Sequence, residues 1–208
     1  DSIHAVVTSE LLEDNDESID LEWFIPPEDR TSSYLEIWYP KDMSPDGFTI
    51  SLCPPIGTSF DSGEYVLDNR NGALTVANSL ITMDAGQVVG QVSTENYRQR
   101  RWRHVIAIAP TETSDNQTPA PAGRWRLRVQ RKDKVALPSF TTSNDDGTEK
   151  TVAGGLQFWI QRDEDFGASG SGAKQSYFVD PNNGLHYKTG GPMQTDNVKG
   201  GAYVRRFG

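Results

Sequence analysis

Serine, histidine and carboxylate side chains can assemble a nucleophilic triad, and this chain holds all three residue types. Gly57-Thr58-Ser59 is the segment best suited to present a serine nucleophile. It runs on into Phe60-Asp61-Ser62-Gly63, which is turn chemistry, and Asp61-Ser62-Gly63 in the same loop cannot also supply the acid. His4, His104 and His186 are far apart and lack metal-ligand spacing. A triad requires base, acid and nucleophile within hydrogen-bond reach, and no pattern here joins them. The sequence therefore predicts no catalytic residue within the chain.

Acidic clusters offer oxygen ligands at Asp14–Glu17, Asp145-Asp146 and Asp163-Glu164-Asp165. Calcium takes about 6–8 converging oxygens, and none of these runs has the Asp-x-Asp-x-Asp-Gly loop that gathers them. Asp163 and Asp165, followed by Phe166-Gly167, are the best calcium candidates, with solvated loop charge as the plainer meaning. No other cofactor is expected. Arg98-Gln99-Arg100-Arg101-Trp102-Arg103 mixes cations with aromatics, a composition that can grip phosphate and stack on bases. One basic run in a chain of net charge -9 does not make a nucleic-acid surface, and the acidic balance also disfavours an anionic membrane. The run suits a solvated strand end paired with acidic loops. Cys53 is the single cysteine and follows an apolar stretch, as a buried thiol would.

The elements that must position these groups read as short strands. Ile19, Leu21, Trp23 and Ile25 alternate with Asp20, Glu22 and Phe24 until Pro26-Pro27. Alternation of period two places one set of side chains on each face of a strand. The same reasoning predicts strands at 3–7, 33–39, 48–52, 87–92, 104–109, 124–130 and 155–162, with one or two short ones in 56–86. Trp23, Ile37, Leu127 and Phe158 fall on the buried phase. Arg124, Arg126 and Arg128 fall on the wet phase, where like charges need carboxylates opposite; acidic partners on neighbouring strands are expected, Glu36 or Glu22 foremost. The stretch 131–153 reads as a polar excursion. With 19 Gly, 12 Pro and only 35% hydrophobic residues, the chain suits many short strands and long loops, not packed helices. An all-β antiparallel sandwich, jelly-roll-like, is predicted over 1–162, with an irregular tail over 163–208.

Several phrases in order carry a resemblance: Pro26-Pro27-Glu28-Asp29-Arg30-Thr31, Leu35-Glu36-Ile37-Trp38-Tyr39-Pro40, Pro121-Ala122-Gly123-Arg124-Trp125-Arg126-Leu127, Phe158-Trp159-Ile160-Gln161-Arg162-Asp163 and Lys174-Gln175-Ser176-Tyr177-Phe178-Val179-Asp180-Pro181. Together they resemble the β-sandwich insert of bacterial subtilisin-like serine proteases of the S8 family. Ile3-His4-Ala5-Val6 resembles the strand after the oxyanion-asparagine segment, and Val204-Arg205-Arg206-Phe207-Gly208 the lead into the resumed protease fold. The resemblance implies that the triad lies outside the chain and that the chain is cut from a larger protein. It implies a partner in cis, the parent protease domain, and a possible protein substrate. Tyr177, Phe178, Arg205 and Arg206 are the expected contacts with that domain, with Tyr177 and Phe178 docking on the sandwich or the host and Gly167–Gly172 as a hinge. A carbohydrate-binding sandwich, needing two or three aromatics on one exposed face, and a calcium-stabilised processing domain are the rival readings.

Overall fold

The computed structural model describes residues 3–8, 18–41, 43–55, 65–67, 77–83, 86–113, 118–132, 139–143, 149–153, 155–161, 174–179 and 202–206. For 3–4, 6–8, 65–66, 77–78, 131, 139–143, 149–153 and 202–206 this covers the backbone alone. The described strands are β1 (Ile3–Thr8), β2 (Ser18–Ile25), β3 (Ser33–Trp38), β4 (Phe48–Cys53), β5 (Tyr65–Val66), β6 (Ala77–Thr82) and β7 (Val88–Tyr97). They continue as β8 (Arg101–Ile108), β9 (Gly123–Arg131), β10 (Ser139–Ser143), β11 (Glu149–Ala153), β12 (Gly155–Ile160), β13 (Tyr177–Phe178) and β14 (Ala202–Arg206).

Proline sets several boundaries by removing a ladder donor. Pro26-Pro27 follows β2, Pro40 lies just beyond β3, and Pro54-Pro55 follows β4. Asp46-Gly47 lies in a one-turn 3-10 helix, Pro45–Gly47, whose Ser44 cap accepts from the Asp46 amide and which feeds directly into β4.

Two antiparallel sheets result. One has seven strands in the order β14-β1-β12-β3-β8-β7-β6, the other five in the order β13-β2-β9-β4-β5. Within them lie two four-strand runs, β1-β12-β3-β8 and β2-β9-β4-β5. The chain changes sheet at each step from β1 to β4, makes β4–β5 as neighbours, and changes sheet again from β8 to β9 and from β9 to β12. That is the strand order of a jelly roll, two interlocked Greek keys. β6 and β7 widen the seven-stranded sheet at one edge, and β10 and β11 form a separate two-stranded sheet.

Burial follows the alternation. In β2 the pattern runs exposed, buried, exposed, buried, then partly and fully buried in turn. Trp23, Ile37, Leu127 and Phe158 have no exposed surface. Trp23 and Trp125 are opposed across β2 and β9, and Leu21 opposes Leu127. Gly90 permits the close approach of β7 and β8, since a Cβ there would collide with the Ala107 carbonyl.

Three stretches differ from the sequence expectation. Residues 139–143 and 149–153, expected to be a polar excursion, pair as antiparallel strands; they are polar yet hold β-branched Thr and Val. The strand expected at 87–92 extends to Tyr97, and the next begins at Arg101, so Arg98–Arg100 form the hairpin turn. Arg98 and Gln99 take positive φ there, 52° and 56°. The tail contributes two strands, β13 on the edge of the five-stranded sheet and β14 beside β1.

Leu127 sits at the centre of this packing. Truncation of a buried leucine to alanine costs about 2–5 kcal/mol through lost transfer energy and residual cavity. Leu127→Ala is expected to lower the denaturant midpoint accordingly with an unchanged m-value; an unchanged midpoint would show that β9 is not phased as described.

Candidate functional site

Among the described residues, four constellations hold polar or titratable groups in defined geometry. The first lies inside the seven-stranded sheet. His104 of β8 is fully buried. Its Nε2 is 2.9 Å from the Tyr39 hydroxyl and its Nδ1 is 2.8 Å from Thr94 Oγ1. Burial pushes the imidazole pKa down to about 4. Burial, and secondarily the Asp46 charge, pushes the Tyr39 phenol up. Both rings are therefore neutral at pH 7 and bound to each other. The enclosed imidazole ties β8 to Thr94 of β7 and to Tyr39 just beyond β3.

The second covers the outer face of the same sheet. Arg103 of β8 donates from Nε to Glu95 of β7 and from Nη1 to Glu36 of β3 at 3.3 Å. Its guanidinium lies 5.1 Å from the Trp38 ring centre and 4.8 Å from that of Tyr97. The two rings meet edge to face at 5.4 Å. Glu36 also accepts from Trp38 Nε1 at 2.6 Å and from Gln161 Nε2 at 2.7 Å. The strand order places these residues together, because Trp38 opposes Arg103 and Arg103 opposes Glu95. Arg103 is thus shared between the Trp38 and Tyr97 rings. Of the basic run singled out in the sequence, Arg103 is the residue enclosed by acids.

The third is the outer face of the five-stranded sheet. Arg128 binds both carboxylate oxygens of Asp20, at 2.9 and 3.0 Å. Arg124 reaches Glu22 at 3.2 Å, and Arg126 lies 3.8 Å from Asp20. Arg126 also contacts the buried Cys53 thiol at 3.5 Å, a hydrogen bond that raises its pKa. Glu22 is thus a partner as expected. Glu36 is not: it lies on the other sheet with Arg103, and Asp20 takes its place because β2 is the neighbour of β9. Exposed pairs of this kind contribute about 0.2–1 kcal/mol each.

The fourth closes one end of the sandwich. Asp29, fully buried, crosses between the sheets in the loop after β2. Its Oδ1 accepts from the Thr31 amide (3.0 Å), the Thr31 hydroxyl (2.8 Å) and the Lys174 amide (3.1 Å). Its own amide donates to Thr111 Oγ1, and its carbonyl accepts from the Thr111 and Glu112 amides. Thr111 Oγ1 in turn donates to the Pro26 carbonyl at 2.7 Å. Outside this core of bonds, Arg30 pairs with Glu112 at 2.6 Å, which raises the Arg30 pKa. Lys174 reaches the Pro27 carbonyl and lies 3.5 Å from Glu28. In the sequence Asp29 stands out only as part of the Pro26–Thr31 phrase, with no local pattern to single out its carboxylate.

The residues expected to be functional are placed as follows. Tyr177 and Phe178 lie against the sandwich: Phe178 is in the core opposite Trp23, and Tyr177 stacks on Phe24 with ring centres 5.0 Å apart. The Val179 amide donates to the Glu22 carbonyl, extending the attachment. Arg205 and Arg206 belong to β14, opposite His4 and Ile3, with only their backbone described. Asp163, Asp165, Ser59 and the Gly167–Gly172 stretch lie outside the described residues. Among the described residues no group of three or more His, Cys, Asp or Glu side chains is placed to hold a metal ion. No helix among them is long and apolar enough to cross a membrane.

No protein-family model matches the chain, and no curated protein matches it. Among solved structures, the Clostridium perfringens CspB protease is similar over 76% of this chain, with 13% sequence identity and a TM-score of 0.40. The chain spans 25% of that protein's length.

Two outcomes follow from these geometries. In the unfolded chain His104 takes up a proton as pH falls through about 6.5, whereas in the folded chain it resists until about 4. Its contribution is complete above pH 6.5 and is lost progressively as pH falls toward 4, on the order of 3 kcal/mol in all. Chemical denaturation between pH 7 and 5 is expected to show this decline, and His104→Gln to remove it; parallel profiles would show that the imidazole does not resist protonation. Asp29→Ala leaves part-buried donors at Thr31 and Lys174 without their carboxylate, a loss of about 1–3 kcal/mol. Its signature is faster amide exchange at Lys174 alongside the lowered midpoint, and an unchanged Lys174 rate would contradict the role assigned to the carboxylate.

Proposed function

We propose that this jelly roll is the β-sandwich insert of a subtilisin-like serine protease, bracing the protease domain in cis or shaping access of protein substrates to its cleft. The observation that carries the reading is the pairing of β1 with β14, in which Ile3 lies opposite Arg206. Opposed residues of an antiparallel pair have Cα atoms about 4.5–5.5 Å apart. A host chain can therefore run into the sandwich and return at the same point, without moving its own flanking segments apart.

The phrases that resemble the protease insert also fall at structurally committed places. Pro26–Thr31 forms the buried Asp29 corner, Leu35–Trp38 belongs to the interior strand β3, Arg124–Leu127 to β9, and Tyr177-Phe178 to β13. The constellations themselves are closed. His104 is sealed from solvent, and Arg103, Trp38 and Tyr97 engage one another. Such a body positions other groups more readily than it transforms a substrate.

A fluorophosphonate probe applied to the full gene product, followed by peptide mapping, tests this. Labelling is expected on a serine outside these 208 residues. Replacement of Ile3–Arg206 by a short Gly-Ser linker is expected to leave a labelled but less heat-resistant protease. Labelling of Ser59, or flanking sequence without a serine-protease triad, would overturn the reading.

A further inference from the structure

Both connections of the sandwich leave at one end. Ile3 opposes Ile160 as well as Arg206, and Ile160 opposes Leu35 near the start of β3. The same end carries the Pro26–Thr31 loop, Thr111 and Glu112 beyond β8, and Lys174–Ser176 leading into β13. Gln161, the residue after β12, ties in by donating to the Tyr34 carbonyl and accepting from Gln175.

The loop at this end is held more firmly than a link between two strands requires. Two segments distant in sequence converge on Asp29, Thr111-Glu112 through its amide and carbonyl and Lys174 through its carboxylate. Beside it Glu28 is kept in the left-handed region at φ 55°, a conformation that persists in a non-glycine residue only where its surroundings over-determine it. The effect is to project the two neighbours of a buried residue outward: the Glu28 side chain is 83% exposed and that of Arg30 55%. Rigid presentation of exposed charge lowers the ordering cost of an encounter.

We propose that this end, formed by Glu28, Arg30, Glu112 and Lys174, is the face that bears on the host protease domain. The inference rests on the insert reading above and specifies where the brace acts. Two carboxylates and two cations, already paired as Arg30–Glu112 and Lys174–Glu28, give the patch no net charge in a strongly acidic chain. It fits a polar protein surface of mixed sign, to which paired charges lend register, and not a polyanion.

Arginine footprinting with phenylglyoxal on the full-length protein tests the assignment, with exposed Arg100 at the opposite hairpin as reference. Arg30 is expected to react several-fold more slowly than Arg100 in the wild type and to stay slow in Glu112→Gln, because the host surface covers it. Lys174 is likewise expected to acetylate several-fold more slowly than exposed Lys132. If Glu112→Gln brings Arg30 to the Arg100 rate, the ion pair alone protected it and the face is open, which overturns the proposal. Equal acetylation of Lys174 and Lys132 does the same. In both cases a triad in the flanking sequence would leave the insert reading standing; flanking sequence without one would remove both.

Discussion

The antiparallel pairing of β2 with β9 fixes most of what surrounds it. Eight residues of each strand are in register, from Ser18 opposite Gln130 to Ile25 opposite Gly123. Because successive side chains on a strand face opposite ways, one register sets two surfaces at once. Inward, it stacks Ile19 with Val129, Leu21 with Leu127 and Trp23 with Trp125, all buried. Outward, it sets Asp20 against Arg128 and Glu22 against Arg126. A slip of one residue would put the arginines into the core and the tryptophans into water. The inner face is where the free energy lies; the outer ladder adds register more than stability.

The buried polar groups sit where the two sheets communicate. Asp29 occupies the crossing from β2 to β3, and Thr111 and Lys174 reach it from chain positions 82 and 145 residues away. His104 lies on an interior strand, where Tyr39 and Thr94 satisfy it from either side. Each polar group buried this way loses its water and recovers the cost only in one arrangement of its partners. These nodes therefore specify a unique packing where a purely apolar core would tolerate several. Among the described residues, Asp29 Oδ2, Ser33 Oγ and Ser176 Oγ, on segments that meet at this corner, have no hydrogen-bond partner, and neither does Asn96 Oδ1 near the opposite hairpin.

Chain path links this packing to function. A sandwich whose outermost strand on one side, β14, is laid beside β1 returns the chain to where it began. Tyr177 and Phe178 add β13 to the edge of the five-stranded sheet, beside β2.

The amino-acid sequence by itself determined the class of fold, the phase of its strands and their stops. Period-two alternation at Ile19–Ile25 and prolines at 26, 40 and 54 act over a few residues, so they can be read without knowing any neighbour. The paired strands at 139–143 and 149–153 escaped because they are polar and carry no apolar phase to read. Strand order was decided only in three dimensions. It gave Asp20 to the arginines of β9 and moved Glu36 to Arg103, it sealed His104 between Tyr39 and Thr94, and it made a structural node of Asp29. The physical reason is common to all of these. Which strands become neighbours depends on the burial of both sheets together, and a side chain's partner across a sheet lies tens of residues away in sequence, beyond the reach of any local pattern.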